Sequence, residues 1–214
     1  MASSDGMDLT GPWRELARLG QELHRLMHEG ITTALHRVGN HLSQKIVDGL
    51  TSQAPAGEQF DPLHWFTIHL RNSRGGRKKR KPKGGAGGPK ALLDRGDLFR
   101  NVDYVVWDVP GQYAVFIGVK RGQSNKGKDI ADIAALQETG YIIEVTPRMR
   151  FWLRRNGFPI RDTTTALRVP ARPFIAPVYN QEAATIREYL QQAMLPLLNE
   201  WNRVARLGDN QNAQ

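Results

Sequence analysis

From Trp13 onward, apolar residues recur at steps of three to five: Leu16, Leu19, Leu23, Leu26 and Met27, Ile31, Leu35, Val38, Leu42 and Ile46. That spacing follows the helical repeat and predicts one long amphipathic helix, or two stacked ones. Gly20, Gly30 and Gly39 interrupt the stripe. Each weakens a helix by about 1 kcal/mol relative to alanine, so each marks a bend or the close approach of a neighbouring helix. The helix is expected to stop near Gly49, since Ala54-Pro55-Ala56-Gly57 reads as a turn. Asp61 to Leu70 is short and aromatic and fits either helix or strand. The clearest β signal is a hairpin, Val102 to Val109 and Tyr113 to Val119, joined by Pro110-Gly111-Gln112. A short helix is expected from Asp129 to Glu138, ended by Gly140, and then a strand from Tyr141 to Val145. Thr146 as N-cap and Pro147 at the first helical position open another helix, Arg148 to Asn156. The last helix begins near Asn180, with Ile186, Leu190, Ala193, Met194, Leu197, Trp201 and Val204 on one face. Pro196 inside it is expected to kink it, because proline removes a backbone donor and crowds the preceding turn.

The pattern predicts an α+β fold: a long N-terminal helix, a small antiparallel sheet and a C-terminal helix packed on the sheet. One domain is expected over residues 11–207, between polar flexible tails at 1–10 and 208–214.

Charge adds a distinct feature to this picture. Between Arg71 and Lys90 stand Arg71, Arg74, Arg77, Lys78, Lys79, Arg80, Lys81, Lys83 and Lys90, with no acidic residue. These nine cations equal the whole net charge of +9, so the remainder is formally neutral. Gly-rich, broken by Pro82 and Pro89, and self-repelling, the segment is expected to be a disordered loop. It suits phosphate backbones through counterion release, an acidic protein partner, or solubility alone. No RNA-binding aromatic signature or helix-turn-helix accompanies it.

Catalytic chemistry finds little footing. The 214 residues include no cysteine, which excludes disulfides, thiolate metal sites and cysteine nucleophiles. His24 and His28 share a helix face at metal-site spacing but lack an obvious third ligand, which favours a structural or solvated role. His64 and His69 flank Trp65 and Phe66 and read as surface residues beside a packed aromatic pair. A metal-dependent nuclease core would use Asp108 and Lys120, yet Gly118 stands where its second carboxylate is required. The Gly84–Gly88 run lacks the strand–helix context of a phosphate-cradling loop. The expectation is a non-enzyme with no cofactor and no metal. No apolar run nears the roughly 18 residues of a membrane helix, and Met1-Ala2-Ser3-Ser4-Asp5 does not resemble a secretory signal. A soluble product made in a cytoplasm is expected.

Four segments, in order, carry a family resemblance. They are Ala54-Pro55-Ala56-Gly57-Glu58-Gln59-Phe60-Asp61-Pro62-Leu63; Leu92-Leu93-Asp94-Arg95-Gly96-Asp97-Leu98-Phe99-Arg100-Asn101-Val102; Ala134-Ala135-Leu136-Gln137-Glu138-Thr139-Gly140; and Val169-Pro170-Ala171-Arg172-Pro173-Phe174-Ile175. Together they resemble the virion morphogenesis, or tail completion, proteins of Mu-like and related tailed phages. Arg95 stands where that family usually has Thr, and Phe60 where it has Trp. The resemblance implies a virion protein of the tail or neck, assembled in the host cytoplasm, that enables head–tail joining. It also implies neck and tail partners and a homo-oligomeric ring around the DNA channel, with genomic DNA within reach of the basic loop. The motif residues Gly57, Gly96, Leu98, Gly140, Pro170, Arg172, Pro173 and Phe174 would anchor the fold. Pro170 and Pro173 bias Ala171 and Arg172 toward extended backbone. Phe174 is then free to be buried, and Arg172 to reach a carboxylate on the same subunit or a neighbour.

Overall fold

The computed structural model describes residues 13–65, 67–69, 90–93, 96–109, 112–122 and 127–211. One helix, α1, runs unbroken from Trp13 to Ser52. The single-helix alternative therefore holds, and the helix passes Gly49 by three residues. A short turn, Pro55–Gly57, follows. Then come α2 (Asp97–Arg100), β1 (Val102–Val109), β2 (Gln112–Val119), α3 (Ile130–Thr139), β3 (Tyr141–Glu144), α4 (Pro147–Arg155), β4 (Ala166–Val169), α5 (Ala176–Gln181) and α6 (Ala183–Gln211). The fold is α+β, with two small antiparallel sheets, β1–β2 and β3–β4. β4 had no strand signal of its own: its four residues, Ala166–Val169, are too few to display a period. Pairing with β3 supplies what propensity does not, in the register Tyr141 to Val169 through Glu144 to Ala166. The polar tail expected from Gly208 is helical as far as Gln211, and α6 continues through Pro196.

The chain forms two compact units. The first comprises Met1–Gly39, Val106–Phe116 and Ala183–Gln214, and the second Asn40–Val105 and Ile117–Glu182. Where one domain was expected, both α1 and the hairpin extend beyond a single core and contribute to two.

In the first unit α6 runs antiparallel along α1. A Cβ added to Gly30 would lie 3.1 Å from the Ala193 carbonyl oxygen, so this glycine permits the helices to close up. The Arg37 guanidinium sits 5.6 Å from the centroid of the Tyr189 ring. The hairpin tip meets α1 through polar contacts. Asp108 accepts a hydrogen bond from Thr32 at 3.2 Å and lies 3.3 Å from His28 Nε2. His28 Nδ1 is 3.2 Å from the Tyr113 hydroxyl.

The second unit holds most of the deep core. Leu42, Ile46 and Leu50 continue the α1 stripe and are almost completely buried, together with Ala91, Leu98, Ile130, Ala134, Leu153, Phe174 and Val178. Two of its helices, α3 and α4, begin on side-chain caps. Asp129 accepts from the Ala131 amide at 2.9 Å and Thr146 from the Met149 amide at 3.2 Å, each satisfying an otherwise orphan donor.

Candidate functional site

Residues from all four resemblance segments contribute to the second unit. Gly140 ends α3 with φ +73°, and a Cβ there would lie 2.8 Å from the Ala171 nitrogen. Only glycine fits both the backbone conformation and the space. The Gln137 carbonyl accepts the Arg172 amide at 2.7 Å. The Glu138 carboxylate accepts from three successive backbone amides, Phe174 at 2.9 Å, Ile175 at 3.2 Å and Ala176 at 2.9 Å. One acid thus closes the corner that leads into α5, and Phe174 is 0 % exposed beneath it. The Pro55–Gly57 turn packs against α5 and α2 against α3. Gly96 precedes α2, whose Leu98 is buried.

Arg172 does not reach a carboxylate among the described residues. It is 8 % exposed, and its Nε is buried without a hydrogen-bond partner. The Phe174 corner draws the preceding arginine inward with it. Pro170 is exposed and Pro173 half-buried.

Of the basic segment, Arg71, Arg74, Arg77, Lys78, Lys79, Arg80, Lys81 and Lys83 lie outside the described residues. Lys90 is described, and its ammonium donates to the Thr51 carbonyl at 2.6 Å.

The nuclease pairing of Asp108 and Lys120 is not formed as such. Asp108 is engaged with Thr32 and His28, while Lys120 pairs with Asp103. The Lys120 ammonium, helped by the Tyr104 amide, holds the Asp103 carboxyl below its ordinary value. Asp129 is likewise lowered, chiefly by the Ala131 amide at its cap. Among the described residues no three His, Asp or Glu side chains cluster as a metal site. His24 is exposed. His64 and His69 are exposed as read, but the Trp65 ring meets Phe158 at 5.5 Å in a tilted contact, and Phe66 lies outside the described residues.

Sequence reasoning missed two exposed faces. On α6 the inward positions are Ile186, Tyr189, Ala193 and Leu197, all half-buried. Leu190 and Met194, expected on that inner face, instead stand exposed with Leu195 and Leu198. These four line a shallow groove with Arg187, Glu188, Gln191 and Gln192. The apolar residues of α6 cover more of its circumference than one helix partner can bury, a width visible in the sequence. The second face is on α4, where Arg148, Phe151, Trp152 and Arg155 are all exposed at i, i+3, i+4 and i+7. That spacing was legible too.

Compared with protein-family models, curated proteins and solved structures, the chain matches none. Among the described residues, no helix is long and apolar enough to cross a membrane.

Proposed function

We propose that this chain is a structural, non-enzymatic subunit of a tailed-phage virion that completes the tail or neck and enables head–tail joining, as part of a homo-oligomeric ring around the DNA channel. The observation that carries the assembly reading is the apolar surface of the first unit. Leu190, Met194, Leu195 and Leu198 on α6, and Trp107, Val109 and Phe116 on the hairpin tip, remain exposed. Exposed apolar surface of this kind marks an interaction site, and a second copy of the chain would cover it. The virion assignment rests on the four resemblance segments. Its support is that their residues furnish interlocking parts of one core rather than scattered surface.

The direct test removes the gene from its phage and examines particles by electron microscopy. Full heads beside separate tails are expected, with joining restored by the protein supplied in trans. Normally joined virions would overturn the reading.

A second reading is favoured by one observation, the nine cations between Arg71 and Lys90. On that reading the chain is a sequence-independent nucleic-acid-binding accessory protein acting through this segment. A version lacking residues 74–88 would then lose most of its salt-dependent affinity for arbitrary duplex DNA. An assembly subunit would keep its partner contacts.

A further inference from the structure

We propose that the exposed face of α4 binds single-stranded nucleic acid, with Phe151 and Trp152 stacking on unpaired bases and Arg148 and Arg155 holding the flanking phosphates.

The helix sorts its residues sharply. Leu153 is buried, and two of its four arginines are used internally. Arg150 donates to the carbonyls of Arg161 and Thr164, and Arg154 pairs with Asp162. Those bonds tie α4 to the chain that follows it and fix its orientation. The other two arginines, Arg148 and Arg155, make no ion pair or hydrogen bond among the described residues. They bracket Phe151, 67 % exposed, and Trp152, 43 % exposed, on one stripe. The helix contains no acidic residue. Asp162, the carboxylate beside it, already faces two guanidiniums.

Exposed aromatic rings flanked by guanidiniums not engaged elsewhere suit a partner that offers flat apolar faces and negative charge at regular intervals. A single polynucleotide strand offers both, because its bases are free to leave one another and stack on protein rings. A duplex keeps its bases stacked internally and would use only the arginines. An acidic peptide offers charge without obligatory flat faces. Beyond the end of α4, the Phe158 amide bonds back to Leu153, and the Phe158 ring meets Trp65, itself 56 % exposed. No group on the stripe is a specific sensor of a ribose hydroxyl, so DNA and RNA strands should bind alike.

This inference stands apart from the virion reading and survives its failure. The test uses the full chain and labelled oligothymidylate of about fifteen nucleotides, within the usual span of one such site. Duplex DNA of equal length, oligouridylate and anionic phospholipid vesicles complete the set. Because the basic segment contributes phosphate binding to any polyanion, the quantity read is the ratio of single-strand to duplex affinity. Phe151→Ala/Trp152→Ala should lower that ratio about tenfold, with the thermal unfolding midpoint unchanged. Arg148→Gln/Arg155→Gln, which keeps the rings, should reduce the salt slope for the single strand by about 1.4. It remains informative should the aromatic variant fold poorly. Oligothymidylate and oligouridylate should bind within about twofold of each other. An unchanged ratio in a folded aromatic variant together with an unchanged salt slope in the arginine variant would overturn the proposal. So would loss of vesicle binding with retained oligonucleotide binding, which would make α4 a membrane-surface helix.

Discussion

The two compact units bury their apolar side chains to different depths. In the second, ten apolar side chains are buried among the described residues, including Leu42, Ile46, Leu50, Phe174 and Val178. In the first, among the described residues, Ala34, Leu35 and Val38 reach that state; each unit leaves seven large apolar residues exposed, those of the first on the hairpin tip and α6. Leu23, Leu26, Met27 and Ile31 in the first unit's part of α1 are half-buried. The same helical stripe therefore closes a core in one unit and lies in a thinner layer in the other. Apolar area removed from water contributes about 25 cal/mol per Å², so the second unit should carry most of the stability.

Substitutions can break that contrast. Phe174→Ala should cost about 3–5 kcal/mol in urea unfolding, because a fully buried ring leaves a cavity beneath the Glu138 corner. A loss below 1 kcal/mol would show that the corner is not core. Gly140→Ala should destabilise by more than about 1 kcal/mol, since it adds both a left-handed strain and a clash with Ala171. In the first unit, Leu195→Ala should shift unfolding of dissociated protein by no more than about 0.5 kcal/mol, as expected of an exposed position. A cost near that of Phe174→Ala would erase the difference between the units.

The smallest effect is a pH dependence confined to the second unit. The Asp103 and Asp129 carboxyls are both held below their ordinary 3.8, by Lys120 and by the cap amides respectively. Their contribution is fully present above pH 3.8 and fades as pH falls through the lower folded values. Asp103→Asn/Asp129→Asn should flatten the acid limb of a denaturation curve. The same limb in the variant would sink the assignment.

Much of this fold was legible because long periods speak clearly. The hairpin and the capped starts at Asp129 and Thr146 fall within a residue or two of their expected places, and α1 begins at Trp13 and ends three residues past Gly49. What escaped was set by tertiary partners. β4 exists through its register with β3, and α6 is rotated so that Tyr189, rather than Leu190 and Met194, joins Ala193 on the side of α1. Arg172 was read as reaching a carboxylate, but it is buried beside the Phe174 corner and meets none among the described residues. The arginine–aromatic stripe of α4 was present as a spacing. Its significance appeared only once Arg150 and Arg154 were seen to be engaged and Arg148 and Arg155 were not.

The central claim is that the exposed face of α6 is an assembly surface, and the solution mass of the protein tests it most directly. Light scattering during gel filtration should give a multiple of the 24.1 kDa chain that grows with concentration. Leu195→Glu/Leu198→Glu should reduce it to the monomer without lowering the unfolding midpoint. A monomer at every concentration, or an oligomer indifferent to those two charges, would contradict the account.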